Sequence, residues 1–249
     1  MSRASRAFRL AGMLIKFLLI AAVFTVIGFL IWRVFYSTKV PESVESLTPN
    51  DALYAAYEED GDDLYIFRQK LDMMARADNN AGYFSIEDCR YVPDANQIHI
   101  LFRYNNSTLR ALQKDYGLAE APDRSEDLFD VTLLLATDLT PEKETDNFGN
   151  DPESVAFTRL HPVSVTSDQK NMYNYRRMVF DLGEAELSLS ELTESGLLLT
   201  VYADVYYKGD VNYDDEPYGT LCIYDFTMEK KPVPLTSADE KALRAFGKK

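Results

Sequence analysis

The chain has 249 residues, 46% hydrophobic and 27% charged, with 40 acidic against 26 basic side chains. So much apolar content can bury a core, which excludes general disorder, and 11 Gly with 10 Pro exclude collagen-like or low-complexity classes. A net charge of −14 argues against a nucleic-acid partner, and two Cys are too few for a disulfide-dense scaffold or a four-Cys zinc module.

Residues 1–9 form a short tail that carries Arg3, Arg6 and Arg9. Residues 10–35 are almost wholly apolar, broken by Lys16 and Arg33. As a helix the uncharged stretch 17–32 rises about 24 Å, and its flanking turns bring it to the roughly 30 Å of bilayer hydrocarbon. Lys16 and Arg33 can each lift a charged head toward a headgroup layer, with Trp32 and Tyr36 at the interface. The run ends Ile31-Trp32-Arg33-Val34-Phe35-Tyr36, without the small residues of a cleavage site, and no Cys adjoins it for a lipid anchor. The expectation is a single-pass signal anchor in the plasma membrane. Because Arg3, Arg6, Arg9 and Lys16 precede or open the span and no acid precedes Glu42, the N-terminus is expected in the cytoplasm and the remainder outside. This short-tailed, single-span layout favours a bacterial envelope protein.

Residues 36–50 read as a polar stalk, 51–236 as an extracytoplasmic domain, and 237–249 as a basic helix or tail. Thr48-Pro49-Asn50-Asp51 can open a helix with Thr48 as its cap. The same region also fits a hairpin of 52–57 and 64–68 around Asp60-Gly61. Next come 83–91 and 97–104, joined by a turn at 93–96. In 97–104, Ile98, Ile100, Phe102 and Tyr104 alternate with Gln97, His99, Leu101 and Arg103, the period of a half-buried strand. Residues 107–116 place Leu109, Leu112 and Tyr116 at helical spacing before Gly117. Further strands are expected at 128–137, 154–166, 173–182, 196–207 and 218–227, rich in Val, Leu, Phe, Tyr and Thr. Ser237-Ala238-Asp239-Glu240 is a capping-box pattern ahead of Ala242, Leu243 and Phe246; with Lys241, Arg244, Lys248 and Lys249 this end can dock on the acidic domain or rest against anionic lipid, a solvated tail being the leading expectation. The fold class is therefore mainly β: a transmembrane α-helix followed by an antiparallel, immunoglobulin-like β-sandwich with one or two short helices. The Cys, Trp, Cys spacing of immunoglobulin domains is absent, since the single Trp stands in the apolar segment.

No nucleotide-binding, zinc-hydrolase or nucleophile-elbow motif occurs, and His99 and His161 read as structural. Cys89 and Cys222 fall in expected strands, and a disulfide between them is one reading. Asp210, Asn212, Asp214 and Asp215 set oxygens at near-alternate positions, a weak calcium motif. It lacks the sixth-position Gly and twelfth-position Glu of an EF-hand, so no cofactor is expected beyond that weak calcium site. Acidic stretches at 58–63 and 146–153 read as solvated loops. The excess of Tyr, 16 in all, is the clearest interface signal: Tyr202, Asp204 and Tyr206 share a strand face, with Tyr213 and Tyr218 close in sequence. The leading expectation is a membrane-anchored, non-enzymatic module binding a protein or cell-envelope polymer through that face. A carboxylate-dependent exported hydrolase and a calcium-dependent binding module are the alternatives.

Overall fold

The computed structural model describes residues 3–68, 73–75, 80–136, 157–183, 200–223 and 232–248. The acidic stretch 146–153, the strand ends expected at 154–156, 196–199 and 224–227, and the side chain of Cys222 lie outside the described residues. The chain divides at Val40 and Pro41 into two units.

The first unit is one helix, α1 (Arg3–Thr38), 36 residues long and overrunning both ends of the expected span. Within it Ile15–Arg33 has a mean hydropathy of 2.4 with none of its residues buried. The Thr25 hydroxyl donates back to the Ala21 carbonyl at 2.9 Å, so it is satisfied without water. By length and composition this helix is apolar enough to cross a membrane, a property that anchors and export signals share.

The second unit is built from two antiparallel sheets. Its elements in order are α2 (Glu42–Glu45), α3 (Asp51–Asp60), β1 (Tyr65–Arg68), β2 (Met73–Ala75), β3 (Phe84–Val92), β4 (Gln97–Asn105), α4 (Asn106–Asp115), β5 (Phe129–Ala136), β6 (Phe157–Leu160), β7 (Pro162–Lys170), β8 (Tyr173–Asp181), β9 (Thr200–Tyr207), β10 (Gly219–Ile223), β11 (Val233–Pro234) and α5 (Ser237–Phe246). One sheet has the order β11-β1-β3-β4-β8-β7 and the other β2-β10-β9-β5-β6. An immunoglobulin domain orders its strands ABED and CFG, so the likeness reaches only to facing antiparallel sheets. Residues 154–166 were expected as one strand, but the chain crosses between sheets at His161, and β6 and β7 belong to different sheets.

The shared core draws Ile86, Ile98, Phe102 and Phe180 from the first sheet and Val131, Leu133, Val201 and Leu221 from the second. Phe84 stands at its aromatic centre, 5.4 Å from the Phe102 ring and 5.1 Å from Phe129. The hairpin β3–β4 turns at residues 93–96, as its Pro-Asp-Ala-Asn sequence suggests, with Asn96 at φ 48°. A bulge between Ile86 and Asp88 resets the alternation of β3. Ile86 and Cys89 therefore both enter the core, while Asp88 and Arg90 share the outer face. The helix α4 is capped by a reciprocal pair, Asn105 and Thr108, and ends at Gly117 with φ 62°.

The outer face of the first sheet departs from the sequence reading. β4 is buried on both faces rather than one: Gln97, His99 and Leu101 are as inaccessible as Ile98 and Ile100. They are covered by segments expected to be solvated. Residues 41–49, read as part of a stalk, form a strap that buries Val44 and Leu47. The helix α3 is capped by Asn50 rather than Thr48, whose hydroxyl instead meets Thr166 at 3.1 Å. The helix α5, expected as a solvated tail, docks through Leu243 into a second cluster with Leu47, Leu53, Leu64, Ile66 and Val92. Its capping box starts one residue early, at Thr236 with Asp239. Gly247 lies so close beneath Tyr54 that an added Cβ would fall 2.0 Å from the phenol oxygen.

The strap is gripped by buried charge. Arg177 is fully buried; it donates to the carbonyls of Val44 (3.1 Å) and Glu45 (3.2 Å) and to the Asp88 carboxylate (2.9 Å). Arg90 donates to the Glu45 carbonyl (3.0 Å), Asp88 (2.5 Å) and Asp239 (3.4 Å). Asp239 in turn accepts from the Leu47 amide at 2.7 Å. Removing one member leaves its partners buried without a counter-charge, which costs about 3–5 kcal/mol. Arg177→Met should lower the free energy of urea unfolding by that amount and open residues 41–48 to limited proteolysis. Glu87→Gln, which breaks the half-exposed pair with Arg103 on the same sheet, should cost about 0–1 kcal/mol. Equal losses in the two variants would contradict the clamp.

Candidate functional site

Two clusters of ionisable side chains stand out. The first is the clamp. His99 sits directly across from Arg90 on β3, with neither ring nitrogen hydrogen-bonded. Burial, then the Arg177 and Arg90 charges, pull its pKa down to about 3. Burial raises the Asp88 carboxyl, but the Arg90 and Arg177 charges and their hydrogen bonds outweigh it and hold it below the usual range. Both guanidiniums and both carboxylates are consumed within the domain, so this cluster holds structure together and offers nothing to a ligand.

The second cluster rims a cavity of about 240 Å³ where β5, β7 and β8 approach beside the sheet crossover. Val131, Pro162, Val165 and Met178 supply apolar walls; Asp127, Asp130, His161, Arg176 and Lys208 bring the polar groups. Arg176 is almost wholly buried, donates to the Phe129 carbonyl at 2.7 Å and pairs with Asp127. Lys208 meets the other Asp127 oxygen at 2.5 Å. Partial burial pushes the Asp127 carboxyl up, but the Lys208 hydrogen bond and the Arg176 and Lys208 charges hold it below its ordinary value. Asp130 accepts from the Tyr213 hydroxyl. That bond, then burial and the Asp130 charge, raise the Tyr213 phenol to about 12. The His161 ring stands edge-on to Tyr213 at 5.0 Å. Arg159 donates to the Tyr213 carbonyl (2.8 Å) and the Tyr206 hydroxyl (3.3 Å). A glycosidase pair needs one carboxyl raised to serve as an acid. Asp127 is lowered, and the raised carboxyl of Asp94 stands on the exposed β3–β4 turn.

The tyrosine face is largely enclosed. Val201, Ala203 and Val205 point into the core as the alternation implies. On the opposite face Asp204 and Tyr206 are themselves buried. Asp204 accepts from Thr220 at 2.7 Å, and Tyr206 packs edge-on against Tyr213 at 5.1 Å. Tyr218 lies in the core against Phe84 and Phe129, with its hydroxyl on Asp115. Tyr202 and Tyr213 are half-buried. The loop of Asp210, Asn212, Asp214 and Asp215 closes on itself: the Asn212 amide donates to Asp215 at 2.9 Å and its oxygen accepts from the Asp214 backbone. Among the described residues no group of three or more His, Cys, Asp or Glu is arranged to hold a metal ion. Cys89 is a free, fully buried thiol, its pKa raised by burial. The backbone of Cys222 lies in the other sheet. The groove went unread in the sequence because its residues come from three strands and three separate connections, none with a local motif.

No protein-family model, no curated protein and no solved structure matches this chain.

The buried imidazole gives a pH signature. The folded pKa of His99, about 3, lies below its unfolded value near 6.5, so the unfolded state binds more protons between the two. Stability should fall as pH drops below about 6.5, approaching 1.4 kcal/mol per pH unit in the steep part. Asp88, lowered from an ordinary carboxylate, withdraws its contribution only below about pH 4. Denaturant unfolding from pH 7 to 4.5 should show the slope, and His99→Leu should flatten it. An unchanged slope in that variant would assign the effect elsewhere.

Proposed function

We propose that the protein is a membrane-tethered, extracytoplasmic interaction module of the bacterial envelope whose sandwich-like domain binds a protein or envelope-polymer partner. The observation that carries it is the wholly exposed apolar helix, Ile15–Arg33, ending a few residues before a strap locked into a folded domain. Basic residues at 3, 6, 9 and 16 favour a cytoplasmic N-terminus and a domain outside. The groove between β5, β7 and β8 is the favoured contact point. At about 240 Å³ it falls below the roughly 300–1,000 Å³ of pockets that enclose small-molecule ligands. It suits one inserted side chain, with an apolar wall for the stem and an ionic rim for the polar end. The ion-paired state of Asp127 weighs against the hydrolase alternative.

Two measurements test this. Protease added outside intact cells should digest the domain, and protection of the domain would reject the outward orientation. A photo-crosslinking residue at exposed His161, on the groove rim, should capture a partner in native membranes; the same probe at exposed Lys114 on α4 should not. Equal capture at both positions, or an adduct consisting solely of a second copy of this chain, would count against the groove as the partner site.

A further inference from the structure

β7 closes one end of the six-stranded sheet, and among the described residues its second edge pairs with no strand. Such edges invite another strand, and proteins usually blunt them with Pro, Lys, bulges or short length. In β7, nine residues long, these devices stand at the ends: Pro162, the bulge between Pro162 and Ser164, and Lys170. The stretch 164–169 between them has no Pro, Lys or bulge. Val163 and Val165 on this edge strand are 44% and 45% exposed.

We propose that β7 pairs antiparallel with β7 of a second copy about a two-fold axis at Thr166, joining the two six-stranded sheets into one. Three observations select this occupant. First, the strand is self-complementary in that register. Val165 faces Ser167 of the second copy, Ser164 faces Asp168, Pro162 faces Lys170 and Thr166 faces itself, so no like charges meet. Secondly, an isologous two-fold contact closes on itself and leaves no further edge of this kind to propagate a fibre. Thirdly, antiparallel pairing of identical strands puts the axis normal to the sheet, which keeps like faces together. The straps cross the outer face of β7, where Ser43 bonds Asp168 and Thr48 bonds Thr166. Both straps then emerge on one side of the joined sheet, as two chains anchored in one membrane require. The contact shares Pro162 and Val165 with the groove wall, so the readouts separate the two: dimer mass and amide exchange report β7 pairing, and capture of a different protein at His161 reports the groove.

The test uses the full chain in detergent micelles, with mass read across a series of rising protein-to-detergent ratios. Wild type should become a dimer as concentration rises. The double variant Val165→Lys/Ser167→Lys changes two exposed side chains and sets lysines directly opposite lysines twice across the axis. Its association should weaken roughly tenfold or more; because Ser167 also stands opposite Arg176 across the β7–β8 ladder, the charge-reversed variant and the mixture separate lost association from lost stability. Val165→Glu/Ser167→Glu should fail in the same way, and an equal mixture of the two variants should regain dimers because lysine then faces glutamate. A monomeric wild type, a lysine variant that associates like wild type, or a mixture that stays monomeric overturns the proposal. Amide exchange in wild type gives a readout without substitution. Amides within 164–169 should slow as dimer forms, and exchange that ignores concentration refutes β7 as the contact.

Discussion

Arg177 carries a full positive charge to a place that solvent does not reach, and the arrangement of the outer face follows from accommodating it. A charge so placed must be surrounded by acceptors, and a single carboxylate is not enough. Asp88 supplies one acceptor and the carbonyls of Val44 and Glu45 supply the others. The strap therefore has one place to lie. Arg90 repeats the solution beside it and draws in Asp239, which brings α5. Once strap and helix are seated, the outer faces of β3, β4 and β8 become an interior. That is why His99, with no hydrogen-bond partner, tolerates burial only as a neutral ring.

Sequence periodicity revealed what depends on neighbours. The apolar run, the β3–β4 hairpin with its turn, the helix after Asn105 and the inward set Val201, Ala203 and Val205 were all legible, since each rests on spacing within a few residues. The strap was not. Glu42, Ser43, Glu45 and Ser46 make 41–49 look solvated, and its burial depends on an arginine some 130 residues away. The same limit explains α5. Its basic residues suggested a free tail, but Leu243 and Asp239 are the residues that dock, and only the fold brings them to Leu47 and Arg90. Alternation correctly separated the two faces of β9, yet alternation does not report whether a polar face is covered, and Tyr206 and Asp204 are.

The groove and the open edge share an origin in the crossover at His161. In passing from β6 to β7 the chain leaves one sheet and enters the other, which places Pro162 and Val165 beside Val131 and Met178. Asp127 and Arg176 then hold the start of β5 against β8, so the apolar wall stays open to solvent at its rim. A groove of this kind has no signature at fixed spacing, because its members, from Asp127 to Lys208, are spread over 81 positions.

The bond between the Leu47 amide and Asp239 joins residues 192 positions apart, and this orders events during biogenesis. While the chain is being synthesised, the strap emerges early, but its carboxylate partner is delivered only after both sheets have been made. Until then Arg90 lacks one of its two carboxylates, and the strap remains unlocked. Locking thus reports completion: a chain interrupted before Asp239 would leave residues 41–49 without the bond that fastens Leu47.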